Sequence, residues 1–183
     1  MRQCGLATGP AMPSDSPSLI PCSPESAVPP ASIRLAGTGD AQSLGAWLQS
    51  RHALPVAAAR ARQALLEGLL ARPERGACVV AQASAGQDLL GCLPVTLIPH
   101  LGLAGLTALA TEWWAGEVPA DRGAALLLDC CGLLADWCSA HGVRHLLLAP
   151  ALLSAAQAAP AGFAPHASGL WHLNLSPAAK MLG

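Results

Sequence analysis

The fold of this chain depends most on residues 111–150, whose sequence is TEWWAGEVPADRGAALLLDCCGLLADWCSAHGVRHLLLAP. The pattern predicts a strand ending near Gly116, a turn built from Pro, Asp and Gly, a long helix that stops at His141-Gly142, and a second strand in RHLLLAP. In the helix, Arg122, Asp129 and Asp136 recur every seven residues on one stripe, while apolar side chains cover most of the remaining surface. We therefore expect a strand–helix–strand unit with a mostly buried helix.

The flanking segments add shorter elements around this unit. Apolar stretches between turn residues predict strands at residues 32–36, 76–84, 89–98 and 106–114. Apolar residues at helical spacing predict two helices, residues 41–52 after a capping Asp40 and residues 57–71. A short helix is expected after Pro150, and residues 163–175 are expected to form a closing hairpin. The whole pattern predicts three consecutive antiparallel strands followed by the strand–helix–strand unit.

Charge and composition favour one soluble domain. The chain has 183 residues, a formal net charge of -1 and a single lysine, Lys180. Without a basic stripe, nucleic-acid binding is not expected, and the expected state is a monomer or homodimer. Residues 89–111 and 145–179 lack Asp, Glu, Lys and Arg, but Pro and Gly interrupt both segments. They are therefore predicted to form buried strands and turns, and no association with a membrane is expected.

The two ends are expected to lie outside the domain. Residues 1–30 are rich in Pro and Ser and have no apolar period, which predicts a disordered arm. Prolines interrupt this arm where a secretory signal needs an unbroken apolar run. Residues 31–176 are predicted to form the folded domain, and residues 177–183 a C-terminal tail.

The cysteines favour a reducing compartment. The chain has seven of them, an odd number, and the adjacent pair Cys130 and Cys131 does not suit a disulfide framework. A cytoplasmic location is therefore expected. Cys138, His141 and His145 are close in sequence, but His145 lies beyond the predicted helix end and no CxxC motif accompanies them. We predict a buried thiol and a helix-end histidine there, and no metal site.

A resemblance to a known family rests on the same central stretch. The order EWW, VPADRG, a helix carrying LL..W, and HGVRHLLL resembles the cofactor-binding core of the GNAT superfamily of N-acetyltransferases. In that superfamily a (Gln/Arg)-x-x-Gly-x-(Gly/Ala) turn opens a helix whose backbone N–H groups hold the pyrophosphate of acetyl-CoA. Arg122 fills the first motif position, whereas Ala125 and Leu127 stand where the two small residues belong. The resemblance implies a single α/β (α+β) domain with a mixed central sheet of about six to seven strands flanked by about four helices.

This resemblance implies an acyl-CoA-dependent N-acyltransferase. Its co-substrate would be acetyl-CoA, and its acceptor a primary amine of a small molecule or peptide. The sequence also motivates an alternative, because the two motif glycines are missing and the chain has no tyrosine. Ala158 stands where related enzymes commonly carry a tyrosine acid. The alternative is a catalytically degenerate GNAT-like domain that acts as a binding or partner module.

Amine acetylation needs a proton acceptor, and the resemblance assigns this role to Glu112. The residue is expected at the strand position that faces the acyl group in similar proteins. Burial against Trp113 or Trp114 is expected to make this carboxylate a better base near neutral pH. The alternative role is a structural ion pair with Arg122 or Arg144 at a strand end.

The resemblance implies further site residues. Ser154, Cys138 or a water is the expected proton donor to the departing thiolate, and unassisted departure is the alternative. Glu67 is expected either to contact the substrate or to lie on a solvated helix face, and the other expected substrate contacts are Trp113 and Trp114. The expected contacts with acetyl-CoA come from two nearby segments. The first is Ala115, Gly116, Glu117 and Val118, and the second is Arg122, Gly123, Ala124, Ala125, Leu126 and Leu127.

Overall fold

The long central helix, α3 (Ala120–Ala140), lies across one face of a mixed β-sheet in the computed structural model, which describes residues 30–84 and 88–177. Seven of its 21 residues are buried, Leu126 and Leu134 among them, so the helix buries one face against the sheet and is less buried than predicted. It ends at Ala140, next to the predicted stop, and Gly142 two residues later adopts a left-handed conformation with a φ of 75°.

Two predicted segments fall outside these described ranges: the proline-rich arm apart from residue 30, and the C-terminal tail apart from residue 177. Residues 85–87, between two predicted strands, also fall outside them. The structure describes the predicted folded domain, residues 31–176, apart from residues 85–87.

The sheet is built from eight strands in the described residues. Their bounds are β1 Ala31–Leu35, β2 Gly76–Ala83, β3 Leu89–His100, β4 Gly105–Ala110, β5 Trp114–Ala115, β6 His145–Leu148, β7 Ala164–Pro165 and β8 Trp171–Asn174. The strand order is β1-β2-β3-β4-β6-β8-β7, and β5 pairs with β3. Among the described strands, only β4 and β6 pair in parallel, and α3 lies in the connection between them. The predicted order of antiparallel strands followed by a strand–helix–strand unit is confirmed.

One predicted strand is divided in two. Residues 106–114 were expected to be continuous, but β4 stops at Ala110, residues 111–113 leave the ladder, and β5 begins at Trp114. This division brings the observed count to eight strands, against about six to seven predicted. The other helices are α1 Ala41–Arg51, α2 Val56–Leu70 and the one-turn α4 Ala155–Ala158.

Each face of the sheet has its own core, because successive side chains on a strand point to opposite faces. The core beneath α3 includes Val79, Leu93, Val95, Leu146 and Leu148. The core beneath α1 and α2 joins Leu44, Leu48 and Leu66 to Cys78, Val80 and Cys92. The sheet is thus covered on both sides at β2 and β3, the strands next to the division between β4 and β5.

Asp40 does not cap α1 through its side chain, contrary to the prediction. Its carboxylate accepts hydrogen bonds from Arg34 at 2.8 and 2.7 Å, and from the amide of Gly37 at 2.7 Å. The hydrogen bond from Arg34 is the main cause that lowers the pKa of Asp40, and the same bond raises the pKa of Arg34. The ion pair thereby ties β1 to the start of α1.

The apolar segments form parts of the domain. Residues 89–111 and 145–179 form strands, turns and the one-turn α4 wherever the structure describes them, in agreement with the prediction. Of the described helices, α3 has a length and a mean hydropathy, 1.3, that a membrane-spanning helix also has. A buried core helix has the same properties, and α3 lies against the sheet.

Candidate functional site

β4 and β6 stop pairing at one end of the sheet, and the break in the ladder beyond that point is called the gap. The two strands pair from Thr107↔His145 to Ala110↔Leu148, and the amide of Ala149 donates to the carbonyl of Ala110 at 2.9 Å. Beyond this point the chain continues into β5, which pairs with β3. The other edge of β5 has no strand partner among the described residues, and it faces the side where β6 ends.

The backbone of Ala115 contributes a donor and an acceptor to this gap. The amide of Gly116 donates to the carbonyl of Leu90 at 2.8 Å, so Gly116 directs its N–H toward β3. Because the direction alternates along a strand, Ala115 directs its N–H and C=O away from β3. A β-carbon on Gly116 would lie 3.1 Å from the carbonyl oxygen of Leu90, so this position favours glycine. The open strand edge is suited to an extended ligand that pairs with backbone.

The start of α3 supplies unpaired amides to the same region. The helix begins at Ala120, and Pro119 before it provides no side-chain cap. The amide of Gly123 donates to the carbonyl of Pro119 at 2.8 Å, the first bond of the helix. The amides of Ala120, Asp121 and Arg122 therefore have no intrahelical acceptor. Together with the helix dipole, they form an end that favours an anion.

This open end lies earlier in the chain than the sequence prediction places it. The amides of residues 123–127, predicted to bind the anion, lie inside the helix. Leu126 and Leu127 are fully buried in the core beneath α3, whereas Ala125 is exposed. Pro119 explains the early start, because its ring has no N–H to donate and disfavours a helical preceding residue. The amides open to an anion are therefore those of residues 120–122, and the predicted amides of residues 123–127 are not open.

Arg122 has a buried polar group without a partner. Its Nε is buried and makes no hydrogen bond within the described part of the chain. Buried N–H groups are nearly always paired in proteins, so this one is a donor that is available to a ligand. A guanidinium in the first turn, next to the open amides, forms strong charge-assisted bonds with phosphate oxygens. The residue predicted to contact the cofactor is thus compatible with that role.

Trp113 and Trp114 point to opposite faces of the sheet. Trp113 packs with the core beneath α3, and Trp114 packs with the core beneath α1 and α2. They cannot line one substrate surface together, although the sequence analysis expects both to contact the substrate. Trp114 is the one on the side of α1 and α2.

Glu112 is exposed, and Trp114 orients it. The indole Nε1 of Trp114 donates to the Oε2 of Glu112 at 2.9 Å. The expected burial of this carboxylate is wrong, and it forms no ion pair with Arg122 or Arg144 among the described residues. The division of the strand explains the exposure, since residues 111–113 lie outside the ladder. A carboxylate that is held by one hydrogen bond and open to solvent can accept a proton.

Two residues at the end of α1, Arg51 and His52, were not predicted as site residues. Arg51 forms an ion pair with Glu117, with 3.0 Å between its Nη2 and the Oε1 of Glu117. The ring of His52 lies 6.2 Å from that of Trp114, centroid to centroid. The signal was a basic pair at the end of a predicted helix. Both residues attach the end of α1 to the segment that contains β5.

The other predicted side chains have local partners. Ser154 is exposed at the start of α4, where its Oγ donates to the Oε1 of Gln157 at 2.8 Å. Glu67 is also exposed and accepts from the Nε2 of Gln63 at 2.9 Å, which favours the solvated-face alternative. Ala158, at the position of the family's tyrosine, is fully buried. The described contacts do not connect these three residues to Glu112.

The predicted thiol and helix-end histidine are confirmed. Burial raises the pKa of Cys138 to about 12, and the ring of His141 stacks on Trp137 with 4.5 Å between centroids. Within residues 30–84 and 88–177, no three His, Cys, Asp or Glu side chains are arranged to hold one metal ion.

Comparison with known proteins identifies the fold. No protein-family model matches the sequence, and no curated protein sequence matches it significantly. The chain aligns with the GNAT family N-acetyltransferase YhbS of Escherichia coli, solved in complex with CoA, over 80% of this chain and 82% of that one, with a TM-score of 0.57 and 17% identity. A GNAT family acetyltransferase from Streptococcus pneumoniae aligns over 75% of this chain and 86% of its own, with a TM-score of 0.54 and 16% identity. An integron cassette protein from the mobile metagenome of Cole Harbour Salt Marsh aligns over 72% and 82%, with a TM-score of 0.56 and 23% identity. The chain therefore has the fold of the GNAT superfamily of N-acetyltransferases.

Proposed function

We propose that this protein is an acyl-CoA-dependent N-acyltransferase that transfers an acetyl group from acetyl-CoA to a primary amine of a small molecule or peptide. The observation that carries the proposal is the gap between β5 and the end of β6, followed directly along the chain by the uncapped start of α3. An acyl-CoA is an extended amide-containing arm attached to a pyrophosphate. Its arm suits an open strand edge, and its pyrophosphate suits the start of a helix.

The residues present fit acetyl-CoA. The backbone of Ala115 can pair with the amides of the arm, and the N–H groups of residues 120–122 can bind the pyrophosphate. The unpaired Nε of Arg122 adds a charged donor at the same place. Among the carboxylates nearby in sequence, Glu117 is paired with Arg51, whereas Asp121 is exposed in the first turn of α3. This arrangement leaves Arg122 as the charged group best placed to favour phosphate.

The reaction requires one proton acceptor from the protein. The nitrogen of a neutral amine attacks the thioester carbonyl, a C–N bond forms, the C–S bond breaks, and the sulfur leaves with the electron pair. Glu112 accepts the amine proton in this scheme, and Trp114 orients the carboxylate that does so. The fully buried Ala158 offers no acid. A thiol is acidic enough to leave as a thiolate without a dedicated donor.

The comparisons support this assignment through the CoA bound to the Escherichia coli protein YhbS. The acceptor side is consistent with a cationic amine before its deprotonation. Trp114 presents an aromatic surface on the face of α1 and α2, and the exposed carboxylate of Glu112 lies beside it. Aromatic rings and carboxylates are the side chains that attract alkylammonium groups.

Calorimetric titration with acetyl-CoA tests the proposal. We expect saturable binding with a Kd between about 1 µM and 1 mM, and weaker binding by acetylpantetheine, which lacks the pyrophosphate. Turnover is then measured as thiol release with a panel of small primary amines and peptides. Absence of both heat and thermal stabilisation at about 1 mM acetyl-CoA would overturn the proposal.

A second candidate is a GNAT-like binding or partner module that lacks catalysis. Leu127 favours it, since a large buried side chain occupies the second small position of the family motif. The same two assays separate the candidates. Acetyl-CoA binding without thiol release for any amine tested would favour the module, whereas amine-dependent release would exclude it.

A further inference from the structure

Four histidines from distant parts of the sequence meet at the end of the sheet where β3 ends and β6 begins. They are His100, the last residue of β3; His145, the first of β6; His166, directly after β7; and His172 in β8. Their rings form a continuous row. The centroid distances are 5.6 Å from His100 to His166, 5.6 Å from His166 to His172, and 5.2 Å from His172 to His145.

The hydrogen bond at the centre of this histidine row requires at least one neutral ring. The Nδ1 of His145 and the Nε2 of His172 are 3.0 Å apart, so one nitrogen carries the shared proton and the other accepts it. Two imidazolium rings would place protons on both nitrogens and abolish this bond. The bond therefore holds β6 to β8 only while at least one ring is neutral.

The outer two rings have the same requirement. The Nδ1 of His100 accepts from the amide of Leu103 at 3.2 Å, and the Nδ1 of His166 accepts from the amide of Ser168 at 3.2 Å. Full protonation places a hydrogen on Nδ1 and removes its ability to accept. Each of these turns thus loses a side-chain acceptor when its histidine is charged.

The strands around the row supply no counter-charge. Besides the row itself, β3, β4, β6, β7 and β8 contain no Asp, Glu, Lys or Arg. The nearest charged residue in sequence is Arg144, which is exposed and precedes His145. On β4, Thr107 lies opposite His145, is fully buried, and has a hydroxyl without a partner among the described residues. A protonated ring in the row therefore has other imidazoles as neighbours, and these strands place no carboxylate beside it.

We propose that the histidine row is an acid-sensitive latch that holds the β7–β8 hairpin against β6 when its rings are neutral and releases the hairpin when they are protonated. The latch is independent of the proposed reaction. It acts on β6, however, and the end of β6 forms one side of the gap described above. Acid would therefore loosen that wall of the gap before it unfolds the domain as a whole.

The direction of the pH effect follows from proton linkage. Burial, followed by repulsion from His145, His166 and His100, lowers the pKa of His172 below its ordinary value of 6.5. The released strand then binds more protons than the latched one as the pH falls below 6.5, the unperturbed value. The stabilising contribution is complete above that pH and is lost as the pH falls through the lowered pKa of His172.

Hydrogen exchange of the full chain, corrected for intrinsic rates, tests the latch. From pH 7.5 to 5.5 we expect the protection of β8 amides to fall by about tenfold or more, while amides of β2 and β3 lose much less. In the double variant His145→Gln/His172→Gln this selective loss should be much smaller, because the bond between β6 and β8 no longer contains a titrating group, and an undiminished loss would overturn the proposal. The control His141→Gln alters a histidine stacked on Trp137, outside the row, and should keep it.

A second measurement applies even when the double variant does not fold. Imidazole resonances of the unmodified protein, followed by NMR across the same pH range, should show that His172 titrates below 6.5 together with a change in β8 amides. A His172 that titrates at or above 6.5 would overturn the proposal. Equal loss of protection in β8 and β2 would also overturn it, since acid would then act on the whole domain.

Discussion

The indole of Trp113 lies against the α-carbon of Gly91, in the space that a side chain at position 91 would occupy. A β-carbon there would be 2.3 Å from the Cη2 of Trp113, far inside van der Waals contact. Gly91 pairs with Ala115 across β3 and β5, so Trp113 enters the core beneath α3 over a glycine in the adjacent strand. This contact holds the chain in place at the point where β4 gives way to β5.

Gly91→Ala should therefore displace Trp113 and destabilise the domain. We expect a loss of about 1–3 kcal/mol in the free energy of unfolding, the usual cost of an overfilled core. Urea denaturation measures it. The control Gly132→Ala lies on the exposed face of α3 with nothing within 4 Å, and should stabilise by about 0.5–1 kcal/mol. Equal stability of Gly91→Ala and the parent would show that Trp113 does not depend on this space.

Glu112→Gln tests the proposed proton acceptor. The amide keeps the shape and can still accept from Trp114, but it does not take the proton of an amine. We expect kcat to fall by roughly 10²-fold with acetyl-CoA affinity unchanged. The control is Glu67→Gln, a change at an exposed glutamate bonded to Gln63, and it should leave kcat near the parental value. Parental turnover by Glu112→Gln would remove this residue from the mechanism.

Charges at the start of α3 should change acetyl-CoA affinity in opposite directions. Arg122→Gln removes the guanidinium, whose Nε is buried and unpaired among the described residues, and should weaken binding by about tenfold for one charge-assisted hydrogen bond. Asp121→Asn removes an exposed negative charge from the first turn and should strengthen binding by about 2-fold to 5-fold at low salt. Calorimetry on both variants gives the comparison. A CoA site elsewhere on the domain would leave both affinities unchanged.

The described cysteines should resist alkylation in the folded protein. Cys78, Cys92, Cys130, Cys131 and Cys138 are all buried free thiols. Burial raises the pKa of Cys131 and of Cys138 to about 12. At pH 8 the thiolate fraction, and with it the rate of reaction with iodoacetamide, should be roughly 10³-fold below that of an ordinary thiol. Peptide mapping by mass spectrometry, with urea-unfolded protein as the positive control, measures this. Rapid labelling of Cys131 or Cys138 without urea would contradict the packing of α3.

Local sequence patterns account for most of the elements. The heptad spacing of Arg122, Asp129 and Asp136 predicts the buried helix α3, and His141-Gly142 predicts its end. These features depend on residues a few positions apart, which a helix brings together without help from the rest of the chain. The order of three antiparallel strands before this helix was predicted in the same way. The candidate role of Arg122 also came from sequence, through the resemblance.

The division between β4 and β5 is a property of the tertiary structure. Residues 106–114 are apolar and suit one continuous strand, but Trp113 and Trp114 pack into different cores and β5 pairs with β3 beyond the end of β6. The local sequence does not show where the pairing of β4 with β6 ends. The early start of α3, which moves the open amides to residues 120–122, likewise became visible only with the helix in place.

The sequence alone determined most of the elements and their order, together with the residue types available for chemistry. The tertiary structure decided which of these residues meet. In it, Glu112 is exposed and accepts a hydrogen bond from Trp114, and Ser154 caps the start of α4. It also places His100, His145, His166 and His172 in one row. The physical reason is the sequence separation of the interacting residues. Helices and strands form through backbone hydrogen bonding and side-chain spacing over a few residues. Strand pairing joins positions far apart in the chain, and its register is set by the burial of both cores at once.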